Sequence, residues 1–146
     1  MIQGLNHITI AVSDLELSLR FYVELLGFRL LAKWRFGAYL LAGDLWYCLN
    51  LEPAENIRLY SDSSHIAFTV LQVEFHLLRQ RILDSGAKIW KANRSEGDSL
   101  YFLDPDQNKL EIHVGDVQSR IVQMESEDWE GMELYSEEET SSIRST

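Results

Sequence analysis

The sequence predicts an α+β fold of two tandem βαβββ modules curling into an open half-barrel. Two observations carry that prediction. The stretches Asn6-His7-Ile8-Thr9-Ile10-Ala11-Val12 and Ser64-His65-Ile66-Ala67-Phe68-Thr69-Val70 echo each other 58 residues apart, and a helical run and three short strand-like runs follow each. The glycines that stop the two helical runs, Gly27 and Gly86, lie 59 residues apart, nearly the histidine spacing. An internal repeat of this kind decides the architecture before any single element does.

In chain order, His7–Val12 alternates in the strand period of two, so His7, Thr9 and Ala11 share one face and Ile8, Ile10 and Val12 the other. Residues 14–26 read as a helix, with Ser13 or Asp14 as N-cap and Gly27 as stop. Strands over 28–34, 38–42 and 45–51 complete the first module, with Gly43-Asp44 as a compact hairpin turn. Residues 52–64 are polar and irregular and link the halves. In the second module, residues 72–85 read as a helix with Phe75, Leu78, Ile82 and Leu83 on its apolar face. Strands over 87–92, 99–103 and 109–114 follow, the last two joined by the longer turn Asp104-Pro105-Asp106-Gln107-Asn108. The expected organisation is one domain over 1–135, with modules at about 1–52 and 64–115 and a terminal helix over 116–125. An acidic tail over 136–146 is expected to be disordered.

An apolar fraction of 46% and an aromatic fraction of 11% describe a globular chain. No apolar run approaches membrane length, and no membrane partner is expected. The single cysteine, Cys48, excludes an internal disulfide and suits a reducing, cytoplasmic setting. A net charge of −10 argues against a nucleic-acid partner. Much of the acid lies beyond residue 124, however, so the folded part is nearly balanced and remains open to an anionic small molecule.

His7 and His65 sit at equivalent points of the repeat, and Glu111 occupies a similar front-facing position in Lys109-Leu110-Glu111-Ile112-His113-Val114. Three strands with apolar backs and a ligand type on each front suggest one walled metal site. Two histidines and one carboxylate leave coordination positions open for substrate, as a catalytic metal requires. A lone strand histidine is more often a packed or surface residue; the repeat and Glu111 raise all three together. His113 shares the face of Glu111 and is read as orienting a ligand rather than being one. His76, on the helix, is expected to face solvent, and Cys48 to be a buried strand thiol beside Trp46.

Six segments carry a family resemblance: Gly4-Leu5-Asn6-His7-Ile8-Thr9, Gly37-Ala38-Tyr39-Leu40, Leu45-Trp46-Tyr47-Cys48-Leu49, Trp90-Lys91-Ala92-Asn93-Arg94-Ser95-Glu96-Gly97, Tyr101-Phe102-Leu103-Asp104-Pro105-Asp106 and Lys109 through Gly115. On these the chain resembles the vicinal oxygen chelate superfamily, and within it the glutathione-using fosfomycin-resistance thiol transferases. The likeness runs from Met1 to about Tyr135, and the Asn93–Gly97 loop is its most specific element. It implies an enzyme that adds the thiol of glutathione to the epoxide of fosfomycin, with Mn(II) held by His7, His65 and Glu111. Potassium would be bound by Asn93, Ser95, Glu96, Gly97 and Ser99. The phosphonate would be held by Thr9, Lys91, Ser95, Tyr101 and Arg120, of which Thr9, Lys91, Tyr101 and Arg120 would serve catalysis. Tyr39 and Trp46 would line the fosfomycin pocket, and Trp34 and Arg94 the glutathione side. The resemblance also implies a homodimer with shared active sites, His7 coming from one subunit and His65 with Glu111 from the other.

Residue chemistry agrees with that implication. Cations and hydroxyl donors suit a phosphonate, and an open-site divalent metal polarises an epoxide oxygen. Departures from the family pattern fall at Asp44, in the tight turn, at Ser63, where an aromatic residue is expected, and at Phe36, where a polar one is. Three alternatives compete: an epoxide hydrolase or other-thiol transferase of the same family, an Fe(II) extradiol dioxygenase using the same two-histidine-one-glutamate set, and a drug-sequestering protein that needs no metal.

Overall fold

The computed structural model describes residues 1–94 and 96–144. They fall into two compact units, Met1–Gly115 and a second beginning at Asp116.

The first unit carries the repeat. Strand β1 (His7–Val12) leads into helix α1 (Leu15–Leu19), then β2 (Arg29–Trp34), β3 (Gly37–Ala42) and β4 (Leu45–Leu51). The second pass runs β5 (Ile66–Thr69), α2 (Gln72–Asp84), β6 (Ile89–Lys91), β7 (Ser99–Leu103) and β8 (Lys109–His113). The strand orders are β1-β4-β3-β2 and β5-β8-β7-β6, so the two sheets have the same topology. In each, the first strand runs parallel to the last and the remaining pairs are antiparallel. The duplicated βαβββ architecture is therefore the observed one. His65 precedes β5 rather than opening it, and β6 is short, with a register shift between Ile89 and Lys91.

The capping alternatives resolve cleanly. The Asp14 carboxylate accepts the Leu17 N–H at 2.9 Å and is the N-cap of α1. Ser13 instead reaches into the other module, where its N–H donates to Asp106 Oδ2 at 3.0 Å and its hydroxyl to Asp106 Oδ1. The predicted single α-helix widens after Leu19 into a π-helix over Arg20–Leu25, and the Leu26 N–H bonds back to the Phe21 carbonyl at 3.0 Å. Gly27 and Gly86 both take φ of +79°, the left-handed stop that only glycine adopts freely.

The backs of the two sheets share one core. Ile10, Val12, Leu40, Tyr47 and Leu49 from the first sheet are buried with Leu100, Phe102, Leu110 and Ile112 from the second. Each contributes roughly 1.5–3 kcal/mol of apolar burial. Ring pairs cross between the modules, Phe28 with Phe68 at 5.2 Å and Tyr47 with Phe68 at 5.7 Å between centroids. Beneath them, Tyr22 donates to Asp104 Oδ2 at 2.6 Å, and Asp104 also accepts the N–H groups of Asp106 and Asn108 and the Asn108 amide. Burial raises the Asp104 carboxyl above its ordinary range against the opposing pull of these hydrogen bonds, and burial likewise pushes Tyr22 up.

In the second unit, α3 (Val117–Ser126) is opened by a reciprocal cap. Asp116 accepts the Ser119 N–H at 2.9 Å, and Ser119 Oγ accepts the Asp116 N–H at 3.1 Å. Within the acidic tail, Glu137–Arg144 forms helix α4. Composition hides what starts it. The Ser136 N–H donates to Glu139 Oε2 at 2.7 Å, the Glu139 N–H returns to Ser136 Oγ at 3.3 Å, and three glutamates occupy the positive first turn. Among the described residues, no helix is long and apolar enough to cross a membrane.

Candidate metal site and substrate faces

Glu111 lies at the centre of β8, opposite Ala67 on β5 and Tyr101 on β7. Glu111 is only 6% exposed. A buried carboxylate demands partners, and it has them. Oε1 accepts the Ser99 hydroxyl at 2.7 Å, and Oε2 stands 2.8 Å from His65 Nε2. The other ring nitrogen of His65 lies 2.7 Å from the Ser63 carbonyl. A carbonyl only accepts, so Nδ1 carries a proton, which leaves Nε2 as the ring nitrogen that faces Glu111. A divalent cation that displaces a proton from Nε2 would find an imidazole nitrogen and a carboxylate oxygen side by side. The donor set fits a metal, and the Ser63 carbonyl supplies the outer contact that fixes a ligating histidine. The side-chain departure at Ser63 leaves that carbonyl in place.

Aromatic rings wall this half-site. His65 lies 5.4 Å from Trp90 and 5.8 Å from Tyr101, which are 5.3 Å from each other. The Trp90 indole donates to the Leu110 carbonyl at 3.1 Å, which locks the ring in place. Lys91 Nζ sits 4.8 Å over the Tyr101 ring and Lys109 Nζ 5.1 Å over Trp90. Sequence reasoning gave Trp90 no role; the register shift in β6 brings it and Lys91 to the same rings.

His7 belongs to the other sheet. It stands opposite Trp46, with ring centroids 4.5 Å apart, and its Nδ1 meets Asn6 Oδ1 at 2.6 Å. The row continues through Trp46–Tyr39 at 5.1 Å and Tyr39–Trp34 at 4.7 Å, an exposed aromatic face with Thr9 in register beside the buried Cys48. The chain brings His65 and Glu111 together and leaves His7 apart; among the described residues no group of three His, Cys, Asp or Glu side chains is placed to hold a metal ion. Thr9 and His65 do line one cavity of about 470 Å³, with Arg58, Tyr60 and Lys109.

In the 93–97 loop, the Asn93 amide donates to the Gly97 carbonyl at 3.0 Å, and Glu96 Oε2 is buried without a hydrogen-bond partner among the described residues. An orphaned buried carboxylate oxygen fits a cation site. Gly97 has φ of +76°, and a methyl group there would drive into the Val114 carbonyl. Ser95 lies outside the described residues. Arg94 is exposed, Asp44 is exposed in its turn, and His76 faces solvent. Arg120 lies on α3 in the second unit, its backbone N–H bonded to Asp116.

Residues 4–112 match the Glyoxalase/Bleomycin resistance protein/Dioxygenase superfamily. The chain belongs to that superfamily. It is similar to a glutathione transferase FosA of Serratia marcescens, 49% identical over 143 residues, spanning 94% of this chain and 99% of the relative. It is also similar to a metallothiol transferase FosB of Staphylococcus saprophyticus, 38% identical over 127 residues, with 83% of each chain covered. Among solved structures, the fosfomycin resistance protein FosX of Mesorhizobium loti is 30% identical with a TM-score of 0.70, covering 83% of this chain and 99% of its own. FosX of Listeria monocytogenes, complexed with Mn(II) and a sulfate ion, is 28% identical with a TM-score of 0.73, covering 84% and 98%.

Proposed function

We propose that this chain is a metal-dependent glutathione transferase that opens the epoxide of fosfomycin by thiol addition and so confers resistance to that antibiotic. The observation that carries this reading is the 2.8 Å approach of His65 Nε2 to Glu111 Oε2, each held from behind by a second partner. The 49% identity to a glutathione transferase FosA supports the thiol, and a Mn(II)-bound FosX supports manganese as the metal.

His7 is the third ligand. Because it lies on the other sheet, a second copy of the chain supplies it, giving a homodimer with shared active sites. Mn(II), when bound, supplies a Lewis acid that polarises the epoxide oxygen.

Around it, Lys91, Thr9, Tyr101, Ser95 and Arg120 bind and orient the phosphonate. Lys91 contributes charge, held in place over the Tyr101 ring. Tyr39 and Trp46 wall the epoxide, and Trp34 and Arg94 receive glutathione. Asn93, Ser95, Glu96, Gly97 and Ser99 hold potassium, whose charge adds to the positive potential around the anionic substrate. The glutathione sulfur attacks as thiolate. The C–S bond forms as the C–O bond of the epoxide breaks, and the thiol proton is balanced by protonation of the new alkoxide. With one buried cysteine and a need for reduced glutathione, the working compartment is the cytoplasm.

The test is resistance itself. A fosfomycin-sensitive bacterium expressing the chain should survive higher fosfomycin, and the same strain expressing Glu111→Gln should not. Equal sensitivity of both strains, at matched soluble expression, would contradict the proposal.

A further inference from the structure

We propose that Ser99 and His113 position the Glu111 carboxylate in series, His113 holding Ser99 and Ser99 holding Glu111. This deepens the metal-site reading above and rests on it.

The proton directions are forced. Ser99 Oγ lies 2.7 Å from Glu111 Oε1 and 2.7 Å from His113 Nδ1. A hydroxyl has one proton and a carboxylate only accepts, so that proton goes to Glu111. Toward His113 the same oxygen is then an acceptor, and Nδ1–H is the donor. The direct approach of His113 Nδ1 to Glu111 Oε1 is 3.5 Å, too long for a good hydrogen bond of its own. His113 therefore acts through the hydroxyl.

The sheet keeps the three groups in place. Ser99 and His113 are direct cross-strand partners on β7 and β8, and Glu111 lies two residues along on the same face. Ser99 is 8% exposed, so water competes poorly for either bond. Behind them, the missing side chain of Gly97 leaves room for the His113 ring, because a Cβ there would stand 3.3 Å from His113 Cε1. The Val114 N–H ties that strand to the Asp98 carbonyl at 2.9 Å.

Two consequences follow for the site. With Oε1 occupied, Glu111 turns Oε2 toward His65 and offers a metal one oriented oxygen. The Ser99 hydroxyl proton is also committed, which removes it from the donors available to a phosphonate.

The test is the Mn(II) dissociation constant of the purified full-length protein, read from the electron paramagnetic resonance signal of free Mn(II). Ser99→Ala and His113→Ala should each weaken binding about tenfold or more. His113→Asn, whose amide nitrogen can replace the Nδ1 donor, should bind close to wild type. The Ser99→Ala/His113→Ala double variant should bind no more weakly than Ser99→Ala alone, because the two changes break one chain. Unchanged affinity in His113→Ala, or additive losses in the double variant, would overturn the series arrangement. Should His113→Ala fail to fold by circular dichroism, Ser99→Ala decides, and unchanged affinity there overturns the proposal. Wild-type protein that fails to bind Mn(II) would overturn the metal reading itself, whereas wild-type binding with unaltered variants overturns only the positioning.

Discussion

His65 Nε2 lies 2.8 Å from Glu111 Oε2 although 46 residues separate them in the chain. The parallel pairing of β5 with β8 creates that approach, since it sets Ala67 opposite Glu111 and leaves His65 two residues upstream on the same face. Removing either side chain takes away half of that pair. His65→Ala and Glu111→Gln should each lose Mn(II) binding and thiol transfer while keeping the wild-type circular dichroism spectrum. Turnover in either variant after metal depletion would refute the ligand assignment.

His7 stands on a different sheet from His65, stacked on Trp46. If the site is shared between subunits, a heterodimer of His7→Ala with His65→Ala holds one intact site and one doubly defective site. Mixing the two inactive variants under conditions that exchange subunits should restore about a quarter of wild-type activity. No recovery, despite demonstrated exchange, would place all three ligands within one chain.

Lys91 Nζ is held 4.8 Å over the Tyr101 ring, a fixed cation on the face that carries Glu111. Lys91→Ala should raise the fosfomycin KM about tenfold, the cost of one charge-assisted hydrogen bond, with a smaller change in kcat. Steady-state kinetics with glutathione saturating reads the split. An unchanged KM removes Lys91 from the pocket.

Among the described residues, Glu96 Oε2 is buried without a hydrogen-bond partner. If potassium satisfies it, Glu96→Gln should abolish potassium activation while leaving Mn(II) affinity intact. A potassium titration of rate for both proteins makes the comparison, and retained activation would move the monovalent site elsewhere.

Asp104 is buried at the seam between the modules, and burial raises its carboxyl above the ordinary 3.8. Between the unfolded and folded values the native state binds more protons, so the Asp104 contribution to stability falls as pH rises through that window and is fullest below 3.8. Asp104→Asn has no such titration, and its amide would also set donors against Tyr22 and Asn108. The variant should be less stable by about 1–3 kcal/mol, with the gap to wild type widening as pH is lowered toward 4. Urea denaturation across that range measures it, and a gap that narrows would contradict the sign.

Much of the fold was legible because the chain states it twice. The histidine echo and the paired glycines place both modules, and period-two alternation assigns the faces of β1 and β8 correctly. The π-helical turn over Arg20–Leu25 left no such mark; it carries Tyr22, whose hydroxyl bonds to Asp104, 82 residues away. At the site, His65 and Glu111 were readable as residue types on a shared face. The Ser63 carbonyl was invisible because a backbone acceptor has no sequence signature. The family resemblance presents Ser99 only as a potassium ligand, since its cross-strand register with His113 is a property of the sheet. Trp90 was missed for a related reason: the irregular pairing in β6, not the alternation of its residues, turns that ring toward His65.

The most direct test is mass spectrometry of fosfomycin incubated with the purified protein, glutathione, Mn(II) and potassium, with controls lacking metal or thiol. The account predicts a fosfomycin–glutathione adduct that disappears when the metal is withheld. A diol formed without thiol, or no product under any of these conditions, would contradict it.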